Sequence, residues 1–182
     1  DPLAWPEYIK DAQRNWIGRT KGAEIDFKVP GNSDEHAIKV FTTRPETIFG
    51  ATFIAVSAGL AKKWLDMGWP ANEEIKKYVT ETLKEQSVRD FKEKEKTGIS
   101  AGFNAINPAT KEELPVWITN YVMDGVGTGA IMAVPAHDER DYDFAKKFTL
   151  PVKTVLAQVV GERNKDALER ERVCVVMEKD GK

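Results

Sequence analysis

The sequence predicts a mixed α/β fold, a strand-rich core decorated by helices, and three observations carry that expectation. Several short segments alternate apolar and polar residues with a period of two. One segment in the middle of the chain places its apolar residues at three- and four-residue steps. The two kinds of segment do not alternate regularly enough for a doubly wound parallel sheet. At 182 residues the chain can hide about 70% of the surface its unfolded form exposes, so it can build a core without disulfide or metal staples. It reads as one compact domain.

The elements follow in order. The first twenty residues hold Trp5, Tyr8 and Trp16, interrupted by Asn15, Gly18 and Arg19, and read as an edge segment leading into strands. Residues 23 to 29 alternate polar and apolar as a half-buried strand does, Pro30-Gly31-Asn32-Ser33-Asp34 supplies turn chemistry, and residues 37 to 42 return as the second arm of a hairpin. Ala51 to Val56 is too short for a typical helix and rich in β-formers, which predicts a third strand. Asn72 then caps a helix whose first turn carries Glu73 and Glu74 and whose apolar stripe is Ile75, Tyr78, Val79 and Leu83. Lys84 to Lys96 mixes basic and acidic residues almost evenly and reads as a solvated helix face. Gly98 and Gly102 are expected to end the helical region, and Asn107-Pro108-Ala109-Thr110 to turn the chain. Pro115 to Val122, Ala130 to Val134 and Val152 to Leu156 read as further strands.

Composition narrows the function. With 27 basic against 29 acidic residues the net charge is −2, which excludes a globally basic nucleic-acid coat and leaves room for a local patch. A single cysteine, Cys174, excludes an internal disulfide and a Cys-based zinc knuckle. Lying in an apolar run, it reads as a buried small hydrophobe, and a reducing cytosol is the simplest home. No apolar run approaches the roughly 20 residues that span a bilayer. The start, Asp1-Pro2-Leu3-Ala4-Trp5-Pro6, has neither an initiator Met nor a signal-peptide pattern, which leads to the expectation of a piece cut from a longer protein.

Two segments concentrate unusual polar residues beside apolar strands. In Phe41-Thr42-Thr43-Arg44-Pro45-Glu46-Thr47, Pro45 is pre-set for the first turn of a helix. The chain is expected to turn at Thr43 and Arg44, either as an ordinary cap or with hydroxyls and amides aimed at a ligand. The second segment begins with Gly125, Gly127 and Gly129. These glycines precede a strand and do not open a helix, so they fail the dinucleotide fingerprint and predict a tight turn in close approach to a neighbour. After Met132-Ala133-Val134-Pro135-Ala136-His137, Asp138 is a good N-cap, with Asp141 in the first helical turn near the strand end, where it could fix a cationic group. His137, Asp138 and Asp141 also admit a metal reading. The only other histidine is His36 and no thiolate lies nearby, so the expectation is no metal. No Gly-x-Ser-x-Gly elbow is present for a serine hydrolase.

Together these segments resemble the editing domain inserted into leucyl-tRNA synthetases of bacterial and organellar type. The likeness has four anchors in family order: Arg14 to Thr20, Thr42 to Thr47, Gly127-Thr128-Gly129 with Met132 to Pro135, and His137 to Tyr142. It covers about residues 5 to 155. Valyl and isoleucyl enzymes have similar domains and share a Thr-rich Arg-Pro segment, whereas the Asn-Trp-Ile-Gly-Arg entry and the Met-Ala-Val-Pro-Ala-His-Asp run resemble the leucyl version.

The resemblance implies a β-barrel-like strand core surrounded by helices, the class I synthetase editing-domain fold. It implies that residues 1–182 are a single editing domain excised from a larger synthetase, with 157–182 a C-terminal connection of open role. The implied activity is hydrolysis of the ester that joins a wrong amino acid, norvaline or isoleucine for example, to tRNA(Leu). By the same resemblance Asp141 holds the substrate α-ammonium, Thr47 excludes leucine by its bulk, and Thr42 and Thr43 lie near the scissile ester and place a water. Arg44 sits by the terminal nucleotide, Met132, Val134 and His137 shape the wall, and Asp138 is a supporting cap. The sequence departs from the family pattern at Glu46, commonly aspartate, and Val126, often tyrosine; both departures leave open an inactive tRNA-docking module. No cofactor is implied in this domain, ATP and Mg belonging to the synthetic site of the parent enzyme. The implied partners are the 3′ end of mischarged tRNA(Leu) and the rest of the synthetase, the implied state is a monomer, and the implied location is the cytoplasm or an organellar matrix.

Overall fold

The structure, a computed structural model, describes residues 4–18, 21–30, 37–87 and 95–155. In chain order it contains helix α1 (Glu7–Ile17), strands β1 (Ala23–Lys28) and β2 (Ala37–Thr42), and a short 3-10 helix (Pro45–Gly50). Strand β3 (Phe53–Ser57) and helices α2 (Ala58–Asp66) and α3 (Glu73–Ser87) follow. Strands β4 (Gly98–Ile106), β5 (Glu113–Thr119) and β6 (Ala130–Ala133) and helix α4 (Glu139–Lys147) complete the order. Among the described residues the strands form one mixed sheet in the order β2-β1-β4-β5-β3-β6. The outermost strands of that order, β2 and β6, lie against each other, so the sheet curls toward a barrel. That is the mixed α/β, barrel-like architecture expected from the sequence.

The hairpin β1–β2 pairs Ala23 with Thr42 and Phe27 with Ile38, and its alternation buries Phe27, Ile38 and Val40. Strand β3 is the hub. It runs parallel to β5, with Ile54 opposite Val116, and antiparallel to β6, with Ile54 opposite Met132. Every residue of β3 is buried, because both faces are covered. Ile54 and Val56 join Val116, Ile118, Met132 and Val134 in a large cluster that α3 closes with Ile75 and Val79. Phe53 and Ala55 join Ala133, Phe144 and Ala145 in a smaller one on the opposite face. The pleat therefore sends alternate residues of β3, β5 and β6 into two different cores.

Three local expectations are corrected. The first is the edge segment: residues 7–17 are the helix α1, held by local pairs such as Lys10 with Glu7 at 2.9 Å and Arg14 with Asp11 at 2.8 Å. Among the described residues α1 buries none of its side chains, and Trp16 is 89% exposed. The second is the helix end at Gly98 and Gly102. Both lie inside β4, where Gly102 has φ +80° and the register with β5 shifts between Ser100 and Asn104. A bulge needs that backbone freedom. A Cβ on Gly98 would sit 2.7 Å from the Phe144 ring, so that glycine is a contact requirement. The third is the strand at 152–156: residues 152–155 form no strand ladder, and the Val155 amide donates to His137 Nε2 at 3.3 Å. Cys174, the connection at 157–182 and part of the charged stretch, 88–94, lie outside the described residues.

Candidate functional site

Strand β2 ends at Thr42, whose Oγ1 accepts from the Arg44 amide at 3.1 Å. This contact bends the chain through Thr43, which is exposed, into the 3-10 helix with Pro45 at its start. Thr47 closes the turn. Its amide and its hydroxyl both donate to the Arg44 carbonyl, at 3.1 and 2.8 Å, and the residue is only 5% exposed. The turn falls at Thr43 and Arg44 as expected, and of the two readings the sequence left open these hydroxyl bonds to the turn's own backbone match the ordinary cap. The Arg44 guanidinium is exposed and pairs with Glu46 Oε1 at 2.7 Å, which holds the Glu46 carboxyl below its ordinary range.

The second segment comes to meet the first. Gly127, with φ +58°, approaches the side chain of Phe41 so closely that a Cβ there would lie 3.1 Å from Phe41 Cβ. The glycine turn is therefore a close-approach turn against the end of β2, as expected. From it β6 carries Met132, and the chain continues to Val134, both buried in the large cluster that also holds Ile48. Gly50, at the end of the 3-10 helix, faces Val134, where a Cβ would come within 3.2 Å of Val134 Cγ1. His137 is exposed at the turn beyond, and its pKa is lowered by partial burial and by the nearby Arg44 charge. The electrostatic reach of Arg44 to His137 links the two segments across the site.

Asp138 caps α4 by accepting from the amides of Arg140 and Asp141 at 2.8 and 3.3 Å, and it pairs with the Arg140 guanidinium at 3.0 Å. Burial works to raise the Asp138 pKa, and the Arg140 bond with the helix amides outweighs it, leaving the carboxyl below its ordinary range. Asp141, one turn in, is 4% exposed. One of its oxygens, Oδ1, accepts from the Tyr121 hydroxyl at 2.9 Å, and Oδ2 accepts from the Val134 amide at 2.9 Å. Burial pushes its pKa up to about 6, aided by the Asp138 charge and opposed by the Val134 amide, the Tyr121 hydroxyl and Arg140. The group stays mostly ionised at neutral pH. It is a buried anion held by neutral donors.

The structure therefore gathers Thr42, Arg44 and Thr47 in one turn, sets Met132 and Val134 in the core beside it, and ties Asp138 and Asp141 to the end of β6. An open groove of about 490 Å³ runs along residues 135–139 with Tyr142, Val152 and Thr154; of the expected site residues it touches His137 and Asp138. Among the described residues no three His, Cys, Asp or Glu side chains are grouped to hold a metal ion.

Two contributors escaped the sequence reading. Tyr121 reaches Asp141 from the segment after β5, twenty residues away, and no local pattern marks it. Asn107 is fully buried and donates through Nδ2 to the Ile48 carbonyl at 2.9 Å, anchoring the 3-10 helix from β4. Its place in a turn was legible, its reach was not.

Comparison with known proteins agrees with this geometry. The family model described as "Leucyl-tRNA synthetase, editing domain" matches residues 14–179. The leucine–tRNA ligase of Prosthecochloris aestuarii is 46% identical over 178 residues, covering 96% of this chain and 22% of that protein. The leucine–tRNA ligase of Borrelia turicatae is 46% identical over 163 residues, 87% of this chain and 19% of that protein. A crystal structure of Agrobacterium radiobacter LeuRS in a ternary complex with tRNA and LeuAMS aligns with a TM-score of 0.67 at 38% identity, covering 90% of this chain and 20% of that one. The chain thus spans about a fifth of the length of these relatives. The motifs around Thr42–Thr47 and His137–Tyr142, the curled mixed sheet and the family match agree: this chain belongs to the leucyl-tRNA synthetase editing domains.

Proposed function

We propose that this domain hydrolyses the ester linking a noncognate amino acid, norvaline or isoleucine, to the terminal adenosine of tRNA(Leu), and that it refuses leucine. The observation that carries the reading is the state of Asp141. It is buried, and among the described residues its carboxylate accepts from two neutral donors, the Tyr121 hydroxyl and the Val134 amide. A buried anion whose hydrogen bonds come from neutral donors is costly, and a substrate α-ammonium would add a direct charge-assisted hydrogen bond to the more distant influence of Arg140.

Around that anchor the other residues take roles by position. Thr47 projects from a turn whose geometry its own hydroxyl fixes, so its methyl stands at a constant depth and acts as the gate against leucine. Thr42 and Thr43 flank the ester and orient a water. Arg44 sits by the terminal nucleotide. Met132, Val134 and His137 form the wall, and Asp138 holds the start of the helix that carries Asp141. Water adds to the ester carbonyl, the bond to the ribose oxygen breaks, and the free amino acid and intact tRNA leave. Positioning of water, ester and ammonium supplies the rate, with the substrate's own hydroxyls assisting. The need for a second site follows from the weak discrimination of apolar pockets, about 1–3 kcal/mol for one methylene.

The domain acts without a cofactor in this reading, as a monomer in the cytoplasm or an organellar matrix, while ATP and Mg serve the synthetic site elsewhere in the parent enzyme. Among the described residues no helix is long and apolar enough to cross a membrane. The test is deacylation of norvalyl- and isoleucyl-tRNA(Leu) by this chain and by the full synthetase, side by side and with and without chelator. Clearance by the synthetase in both conditions supports the reading. No clearance makes the domain a docking module, preferential clearance from tRNA(Val) or tRNA(Ile) makes it a valyl or isoleucyl editor, and loss with chelator makes it a metal hydrolase.

A further inference from the structure

We propose that Tyr121 is a positioning residue for this editing reaction: its hydroxyl fixes the Asp141 carboxylate in the orientation that receives the substrate ammonium. The inference rests on the editing role proposed above. Tyr121 follows β5, and its ring lies against Phe144 with centroids 5.6 Å apart. Phe144 in turn stacks on Phe53 at 5.3 Å and meets Trp117 edge-on at 5.5 Å. The ring is therefore held by the smaller core, and the hydroxyl emerges from it toward α4.

Two donors from two different elements grip the two oxygens of one carboxylate, Tyr121 at Oδ1 and the Val134 amide at Oδ2, each at 2.9 Å. With the amide alone the carboxylate would be free to rotate about its broad terminal torsion. With both, its plane is set. Burial and the Asp141 charge raise the tyrosine pKa, so the phenol stays protonated and acts as a permanent donor. Among the described residues the other charged groups acting on Asp141 lie on its own helix segment: Asp138, which disfavours ionisation, and Arg140, which favours it. Tyr121 adds to the favourable side without introducing a positive charge that would compete with the ammonium. That is the chemical advantage of a phenol over a lysine or arginine at this point.

Tyr121→Phe removes the hydroxyl and keeps the ring packing on Phe144. Two measurements separate positioning from bulk structure. The first is the titration of the Asp141 carboxyl carbon by NMR in this chain, with the melting temperature as a check on folding. The second is the pH profile of isoleucyl-tRNA(Leu) deacylation by the full synthetase. In the variant the carboxyl midpoint is expected to move up. Deacylation is expected to fall about fivefold near pH 8, where the carboxylate is charged with or without the phenol and only its orientation is lost, and to fall further toward pH 6, where the raised midpoint also costs the anion. An unmoved midpoint overturns the proposal, as does a superimposable pH profile or a full recovery near pH 8, which would make the phenol a control on the charge of Asp141 and not on its orientation. If the unmutated synthetase clears no mischarged tRNA, the editing role itself fails, and the carboxyl midpoint still decides whether Tyr121 controls Asp141.

Discussion

Asn107 and Ile48, 59 residues apart in sequence, are joined by a buried hydrogen bond of 2.9 Å from the asparagine amide to the isoleucine carbonyl. The same asparagine accepts from the amides of Ala109 and Thr110 through Oδ1. One side chain thus ties the turn after β4 to the end of the 3-10 helix that begins just beyond Arg44. Asn107→Ala leaves a buried carbonyl and two amides without partners and is expected to cost about 2–4 kcal/mol. Calorimetry should show the melting temperature falling by about 2–4 °C per kcal/mol. A change below about 0.5 kcal/mol would mean that water or the backbone takes over these bonds.

Thr47 has an observed bonding role and a proposed bulk role, and two substitutions pull them apart. Thr47→Ala removes both and should admit leucine, giving hydrolysis of leucyl-tRNA(Leu) on the order of tenfold above the unmutated enzyme. Thr47→Val keeps the volume and loses the bond to the Arg44 carbonyl, so stability drops by about 1 kcal/mol while the leucyl ester stays protected. Equal protection in both variants would remove Thr47 from the gate.

Asp141 sets function against stability. Its folded pKa, about 6, lies above the ordinary aspartate value of 3.8, so the folded state binds the extra proton between those values. Stability from this group is therefore greatest below the unfolded pKa and declines as pH rises through the folded one, by roughly 3 kcal/mol. Asp141→Asn cannot ionise; its oxygen can take the Val134 amide and its NH2 can donate to the Tyr121 oxygen. The variant should melt higher than the unmutated chain at about pH 7.5, lose that advantage near pH 4, and clear no mischarged tRNA. An Asn variant that melts lower at both values would contradict the burial argument.

Asp138 works in the opposite direction. Its folded pKa is depressed, so its contribution is present above the unfolded pKa and fades as pH falls through the folded one. Asp138→Ala removes the cap from α4 and is expected to cost about 1 kcal/mol near neutral pH. Deacylation should weaken chiefly through KM, because the helix that presents Asp141 frays while Asp141 itself remains. A variant with unchanged melting and unchanged KM would show that the cap is dispensable.

Much of the site was legible because its geometry is local. Thr42, Arg44, Pro45 and Thr47 make their turn within six residues, and Asp138 caps the helix that carries Asp141 three residues on, so motif chemistry and structure coincide. Helix α3 followed its apolar stripe, with Asn72 Oδ1 accepting from the Ile75 amide as expected. Helix α1 was not legible, since its aromatic residues signal burial that the described residues do not provide, and local ion pairs hold it instead. Helix α2 was missed because its cap is partly tertiary: Ser57 accepts from Leu60, and the distant Asp124 carboxylate accepts from the Gly59 amide at 3.0 Å. Tyr121 and Asn107 share that reason. Their partners are far along the chain, and only the folded sheet brings them within reach.

The two-core pleat makes recognition a matter of odd and even. Along β6 and its exit, Met132 and Val134 belong to one core and Ala133 to the other, so the even positions carry the residues proposed above as the wall. A single residue inserted just after Ala130 would exchange the two sets, offering Ile131 where Met132 stood and Ala133 where Val134 stood. The turn before the strand is no more tolerant, since Gly127 lies against Phe41 and the Gly129 carbonyl accepts from the Ser57 amide at 2.8 Å. The four residues of the strand, and the glycine turn that delivers them, therefore admit substitution more readily than a change of count.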